Sequence, residues 1–496
     1  MKLKGLKKRC LAAAIAYLMA TSGFADLQDL IDADAFNTLE TEAAIAALIT
    51  YNRLLTDSGC RDSLIVDPGP GEGNCTGQVF TLFANVREII HTANEVTNDG
   101  PTAFSLGSDI EGLGFTLRWT AAEEYAAQGN MSGEFVGGQV SGLATRLTAL
   151  RAGASGFNVL GLGSAWQENN GRALSSIYGY QGMGASGDAN YSRWGGFINY
   201  DFGDGSRDPT ALEDAFDFEN SQITLGVDYR ASDRWILGVI VGLSEQKVDF
   251  DGSQSIVEGS MDAEGTSIQP FFMFQQGAWY MSASMGWQQM SFDTERAIRY
   301  PSFNPDINSA DTVAVSDTDA DMISLFVEAG YSFRWRKFSL EPYVNVKHSD
   351  ISIDGFVEDD INDDAFDVVV EGQDITSQEF TFGTKLQYTL TPSFGVFIPY
   401  VSFEFVNQAD DAPRVIEAYY AQDPTGDSAF TVPTEELDSS YNVYTLGMSA
   451  VLRGARQSKA GGTLGGDVQG FVNYRTLQGL DGFDINFYSL GLRYTF

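Results

Sequence analysis

From about residue 191 to the C-terminus, apolar and polar side chains alternate in one segment after another, and no apolar run there is long enough for a membrane helix. In Gln222–Arg230 the apolar residues Ile223, Leu225, Val227 and Tyr229 take every second position. Trp235, Leu237, Val239, Val241 and Leu243 repeat this, with Gly238 and Gly242 on the other face. Tyr444, Leu446, Met448, Ala450 and Leu452 do the same against Thr445, Gly447 and Ser449. A period of two is the signature of a strand, because successive side chains point to opposite faces. A wall that is apolar on one face and polar or glycine-rich on the other suits lipid outside and a filled interior. A soluble sandwich also alternates, so the connections have to decide.

Twelve strands are expected, beginning near Ser192, Glu219, Arg234, Gly259, Ala278, Asp321, Phe338, Thr376, Phe394, Ser440, Gly465 and Asp484. The connections alternate in length. Short turns fall at Ala231-Ser232-Asp233, Gln276-Gly277, Arg336-Lys337 and Thr391-Pro392-Ser393, with a longer one from Gly454 to Gly462. Long connections fall at about 203–218, 250–258, 293–319, 353–375, 407–438 and 476–483. An even number of strands, short turns at one end and long loops at the other describe a bacterial outer-membrane barrel. Closing the sheet pairs every backbone polar group, the remaining option for a membrane chain without spanning helices. The fold class is therefore an all-β transmembrane barrel of twelve antiparallel strands, preceded by a small α-helical region.

Charge sorts with loop length. Asp354–Asp374 holds Glu358, Asp359, Asp360, Asp363, Asp364, Asp367 and Glu371 without a single Lys or Arg, whereas the turns near 336 and 454 carry Arg334, Arg336, Lys337, Arg453 and Arg456. The acidic loops thus belong to the long-loop end, the outward one in such barrels. Trp194, Trp235, Trp279, Trp335 and Tyr494 lie near strand ends, where aromatic girdles meet the membrane interfaces.

The first 25 residues read as an export signal: Lys2, Lys4, Lys7, Lys8 and Arg9, then the apolar Leu11–Ala20, then Gly23 and Ala25 as the small residues before a cut after Ala25. Residues 26–156 show helical spacing. Ile45, Leu48, Ile49 and Leu55 follow an acidic first turn; Phe83, Val86, Ile89 and Ile90 mark a second helix that stops at Asn98-Asp99-Gly100-Pro101. A third is expected from about Asp109 to Gly129 and a fourth from Ser132 to Gly153, with Leu143, Leu147 and Leu150 on one face. Cys10 leaves with the signal, so Cys60 and Cys75 remain as a pair that an oxidising compartment would bridge. Such a link stabilises by roughly 3 kcal/mol through the unfolded state.

The formal charge is −37, and removal of the basic signal makes the chain more acidic still. Phosphates would be repelled, which excludes nucleic acid as a partner. Two histidines offer little chemistry. His91 is expected on a solvated helix face, among Arg87, Glu88 and Glu95; His348, in His348-Ser349-Asp350, is expected to face lipid, away from Lys347 and Asn345 in the lumen. No nucleophile elbow, phosphate loop, ordered calcium loop or Cys/His ligand set occurs, so no catalytic, cofactor-binding or metal site and no cofactor is expected.

The final strand places Tyr488, Leu490, Leu492, Tyr494 and the terminal Phe496 on one face, and resembles the signal read by the barrel-assembly machinery of outer membranes. Residues 191–496 as a whole resemble the autotransporter β-domain, the translocator of type V secretion. The residues carrying this are Trp194-Gly195-Gly196-Phe197, Leu225-Gly226-Val227-Asp228-Tyr229-Arg230, Asp233-Arg234-Trp235-Ile236-Leu237-Gly238, Leu340-Glu341-Pro342-Tyr343-Val344 and Tyr494-Thr495-Phe496. The resemblance implies export by the Sec route, insertion among outer-membrane lipid, and a helix-plugged barrel, its pore occupied by a helix leading from an N-terminal passenger. Residues 157–190, rich in Gly, Ser and Asn, are positioned to be that segment. The chain departs from the family in having a short helical passenger without β-helix repeats. Asn169-Asn170 is similar to the paired asparagines at which some members cleave themselves. The expected function is display of that passenger at the cell surface for adhesion or interaction, through a surface ligand the residues do not name. A pore or structural barrel with a periplasmic helical domain is the alternative, and a surface hydrolase the second.

Overall fold

The structure, a computed structural model, describes residues 26–151, 193–250, 256–392, 396–409, 414–424, 426, 429–435, 438–453 and 468–495. Among these, five α-helices precede the strands: α1 Asp26–Asp32, α2 Thr38–Thr56, α3 Gln78–Thr97, α4 Ile110–Trp119 and α5 Ala126–Arg151. α2 opens with a reciprocal cap, Asn37 Oδ1 accepting from the Glu40 N–H while the Glu40 carboxylate accepts from the Asn37 N–H. α3 ends where Asn98 turns into the left-handed region, at the stop expected from Asn98-Asp99-Gly100-Pro101. The boundary between the third and fourth helices is corrected. It falls at residues 120–125, around the left-handed Ala122 and a short 3₁₀ turn, Glu123–Tyr125, and not at the expected residues 130–131. Gly129 lies within the last helix, where a Cβ would run into the Arg414 guanidinium.

Twelve long strands form the barrel: β1 Trp194–Arg207, β2 Phe216–Arg230, β3 Trp235–Phe250, β4 Gly259–Gln276, β5 Trp279–Tyr300, β6 Ala310–Tyr331, β7 Phe338–Ile353, β8 Gln373–Tyr388, β9 Val396–Gln408, β10 Ser440–Arg453, β11 Val468–Gln478 and β12 Phe483–Thr495. Each pairs antiparallel with its neighbour in sequence, and β1 pairs with β12 from Gly195↔Thr495 to Arg207↔Phe483, closing the ring. The alternation read from the sequence is the alternation of the wall: Ile223, Leu225, Val227, Leu237, Val241 and Leu243 are exposed outward. Trp194, Trp235, Trp279 and Trp335 are also exposed, all at the short-turn end, where Trp194 lies 4.8 Å from the Tyr229 ring and Trp279 4.9 Å from Tyr331. These four tryptophans mark the short-turn interface, while other exposed rings, Phe202 against Tyr488 and Phe403 against Tyr444, stand nearer the long-loop end.

The long-loop end differs most from expectation. The connection expected at 293–319 is mostly strand, since β5 runs to Tyr300 and β6 starts at Ala310. The connections after β7 and after β9 are not open loops either. Phe356–Val357, Val368–Val370, Val415–Tyr420 and Phe430–Pro433 assemble a separate four-stranded antiparallel sheet. Local composition explains it: Val368-Val369-Val370 and the Val-, Ile- and Tyr-rich 415–420 are strong strand formers hidden among acidic neighbours. Sheet, helices α1–α4 and the adjoining strand ends share one apolar core, in which Leu82, Phe83, Leu113 and Leu117 meet Phe216, Met261, Phe292, Val368 and Val432. At about 1.5–3 kcal/mol for each large apolar side chain removed from water, this core holds the helical region onto the barrel.

Candidate functional site: the occupied lumen

α5 runs inside the barrel along its length. At its N-terminal end, next to the long loops, the Ala126 carbonyl accepts from Arg414 Nη2 at 3.3 Å. Midway, Ser141 Oγ bonds Arg475 Nη1 at 2.6 Å and the Gly142 carbonyl accepts from Asn199 Nδ2 at 3.4 Å. Near the short-turn end Arg146 pairs with Asp228, a contact also approached by Arg493 Nη2 at 3.9 Å. The helix can lie this close because glycine stands at the points of contact. A Cβ at Gly138 would run into the Gln222 amide, and one at Gly242 on the wall would run into Gln139 of the helix. Val140, Leu143 and Leu147 pack against the inward side chains of Phe197, Ile236, Ile240, Phe271, Met273 and Phe326 in a second, smaller core. Residues 157–190, the expected pore segment, lie outside the described residues; the helix in the lumen is Ala126–Arg151. The sequence signal was available in the Gly129, Gly133, Gly137, Gly138 and Gly142 series, small residues at helical spacing in an otherwise polar helix.

Above α5, at the long-loop end, sits a knot of buried charge that the sequence did not point to. Arg296 donates from Nε and Nη2 to the two oxygens of Glu358 at 2.8 and 2.7 Å, and from Nη2 to the Phe366 carbonyl at 3.2 Å. Tyr125, in the turn leading to α5, donates to the same carboxylate at 2.5 Å. Arg118 at the end of α4 reaches Asp214 at 2.5 Å and Glu123 at 3.7 Å. Glu358 and Asp360, two of the acids of the long-loop segment Asp354–Asp374, are both buried. Burial pushes the Glu124 carboxyl up to about 7 and Glu123 well above the usual carboxylate range, in spite of the cations nearby.

His91 is corrected as well. It is buried, with Nδ1 accepting the Phe104 N–H at 3.1 Å and Nε2 3.8 Å from Asp62. The chain beyond α3 folds back over it, which helical periodicity alone does not show. The Cys60–Cys75 disulfide forms, with Cα atoms 5.2 Å apart. Its loop is pinned to α2 and α3 by Tyr51 donating to Asp62 at 2.7 Å and by Arg87 donating to the Leu64 carbonyl at 2.7 Å.

His348 lies on the outer wall, 3.3 Å from Asp350, while Ser349 between them turns inward and is buried. The three residues therefore do not converge as a nucleophile, base and orienting acid must. Lys347 points inward and pairs with Glu379 at 2.6 Å. On β12, Tyr488, Leu490, Leu492 and Tyr494 all face outward. Ala25, Asn169-Asn170 and Phe496 lie outside the described residues.

The family model for the autotransporter beta-domain matches residues 196–463, more than half of the chain. The chain belongs to the autotransporter β-domain family. Its barrel is accordingly an outer-membrane translocator barrel, a class that depends on insertion into the outer membrane by the general assembly machinery. Among solved structures, the translocator domain of autotransporter NalP from Neisseria meningitidis is 11% identical, covering 68% of this chain and 96% of that one at a TM-score of 0.45. The beta domain of the Bordetella autotransporter BrkA is 15% identical, covering 61% and 99% at 0.40. No curated protein matches the chain.

Proposed function

We propose that this autotransporter-family barrel anchors its short helical region, residues 26–125, at the outer face of the outer membrane, where the region serves in adhesion or as an interaction module. The observation that carries the reading is the direction of α5: its start lies among the long loops at Arg414 and its end beside Asp228 near the short turns. Long loops face outward in bacterial outer-membrane barrels, so helices packed at that end belong outside. The shared apolar core further supports a region retained on its barrel and not shed as a free effector. The outward residues of β12, from Tyr488 to Tyr494, supply the assembly signal in this reading, and residues 1–25 the export signal. No catalytic step is assigned.

The test is an epitope tag between Asp26 and Leu27, probed on intact and permeabilised cells. Labelling of intact cells is the expected result. Labelling only after permeabilisation would leave a barrel with a periplasmic domain, and surface display would be wrong.

A further inference from the structure

A groove of about 810 Å³ crosses the outer wall over five strands, β4 to β8. Its floor is backbone, where Ser267, Gln288, Met322, Ile351 and Ile375 stand side by side in the ladder. One bank is the cross-strand row Thr266, Gln289, Asp321, Ser352 and Asp374; the facing bank is Ile268, Trp287, Ile323, Asp350 and Thr376. At about 4.8 Å between strands, the groove is roughly 20 Å long.

Its depth in the membrane follows from β5. Trp279 sits in the aromatic girdle at the short-turn end, and Trp287 is eight residues further along the same face. That is about 27 Å of strand at ~3.4 Å per residue. A tilt of 35–45° leaves roughly 20 Å of membrane depth, close to the ~25 Å apolar band of such barrels. Beyond Trp287 the outward residues of β5 become Gln289, Ser291, Asp293 and Glu295, and those of β6 beyond Ile323 become Asp321, Asp319 and Asp317. The groove therefore lies where acyl chains end and head groups begin, at the long-loop side. Among the described residues, Trp287 is the exposed tryptophan away from the girdle.

Ten side chains form the banks, with three carboxylates and no Lys or Arg. Anionic phosphate is disfavoured there. Asp321 and Asp374 each accept one bond, from Gln289 at 2.8 Å and Ser352 at 2.9 Å, while Asp350 accepts from Thr376 at 2.9 Å and lies 3.3 Å from His348 Nε2; with two oxygens apiece, each keeps acceptor capacity for an outside donor. Hydroxyl groups supply such donors, while Ile268, Ile323 and the Trp287 ring offer an apolar surface to the C–H face of a sugar ring. We propose that this groove binds the neutral, hydroxyl-rich sugar head group of a membrane glycolipid, with its acyl chains continuing down the apolar wall below Trp287. Which leaflet supplies the lipid rests on the orientation proposed above, whereas binding itself does not depend on it.

The experiment uses the full chain, released from mixed micelles holding equal amounts of a dihexosyl diacylglycerol and phosphatidylglycerol, with retained lipid read by native mass spectrometry. Preferential retention of the glycolipid is expected. Trp287→Leu and the double variant Asp321→Asn/Asp350→Asn should each lower it by about tenfold, with the barrel's heat-dependent gel mobility unchanged as the check on folding. Equal retention of both lipids would overturn the proposal. So would equally tight binding of soluble maltohexaose, which would make the ligand a free glycan. A preference for phosphatidylglycerol that appears with Ca²⁺ and vanishes on chelation would replace the sugar with a cation-bridged phosphate.

Discussion

The two halves of the lumen are filled in different ways. At the long-loop end, helices α1–α4, the four-stranded sheet and the ends of the long strands merge into one core, tied through Arg296, Glu358 and Tyr125. At the short-turn end a single helix does the filling, through Val140, Leu143 and Leu147 among its described side chains, with Arg146 paired to the buried Asp228. The first half resembles the interior of a soluble domain that happens to be walled by strands. The second resembles a stopper held by side chains at a few levels. Retention of the helical region and closure of the pore are therefore separate properties, set by different residues.

The largest effect is expected from Arg296→Ala. It leaves Glu358 buried without its cation, a loss of about 3–5 kcal/mol. Limited proteolysis should then cut the helical region while the heat-dependent gel mobility of the barrel persists. Loss of both together would show that the two halves are one unit. Leu143→Ala acts on the other half, where a buried Leu→Ala change costs about 2–5 kcal/mol. Conductance in planar bilayers should rise while the helical region keeps its protease resistance. Unchanged conductance would place the seal elsewhere.

The smallest effect is a pH dependence confined to the long-loop half. The folded Glu124 carboxyl is held up to about 7 by burial, and that of Glu88 in α3 to about 8. A carboxyl raised on folding contributes stability that is fully present below its unfolded value. That contribution is lost as pH rises through the folded one. Thermal stability of the helical region should thus fall between pH 5 and pH 8, and Glu124→Gln should flatten part of the slope. A rise over the same range would reverse the assignment.

How much of this could be read from the residues varies with the range of the interaction. The barrel was legible because lipid on one side and a packed interior on the other imprint a strict period of two, as in Leu237, Val239 and Val241. Loop lengths then supplied its polarity. The cap was not legible, because its core joins residues such as Leu82, Phe292 and Val432 that no local pattern connects. For the same reason Glu358 read as one acid among many, since its partner Arg296 lies 62 positions away on another strand. The plugging helix was visible as a helix, but its place inside the wall depends on glycines on both partners, Gly138 lying against Gln222 of the wall and Gly242 against Gln139 of the helix.

The seam between β1 and β12 has a consequence for assembly. Every other junction of the ring joins strands adjacent in sequence, whereas Gly195 meets Thr495 across the whole barrel. Loop-closure entropy makes that pairing the costliest to form. α5 is already surrounded once the seam shuts, and its far end is joined to the disulfide-linked helical region. Closing the seam and filling the lumen are thus one step, with the strands wrapped round the helix, and in the orientation proposed above the region beyond α5 would take its final shape only after crossing.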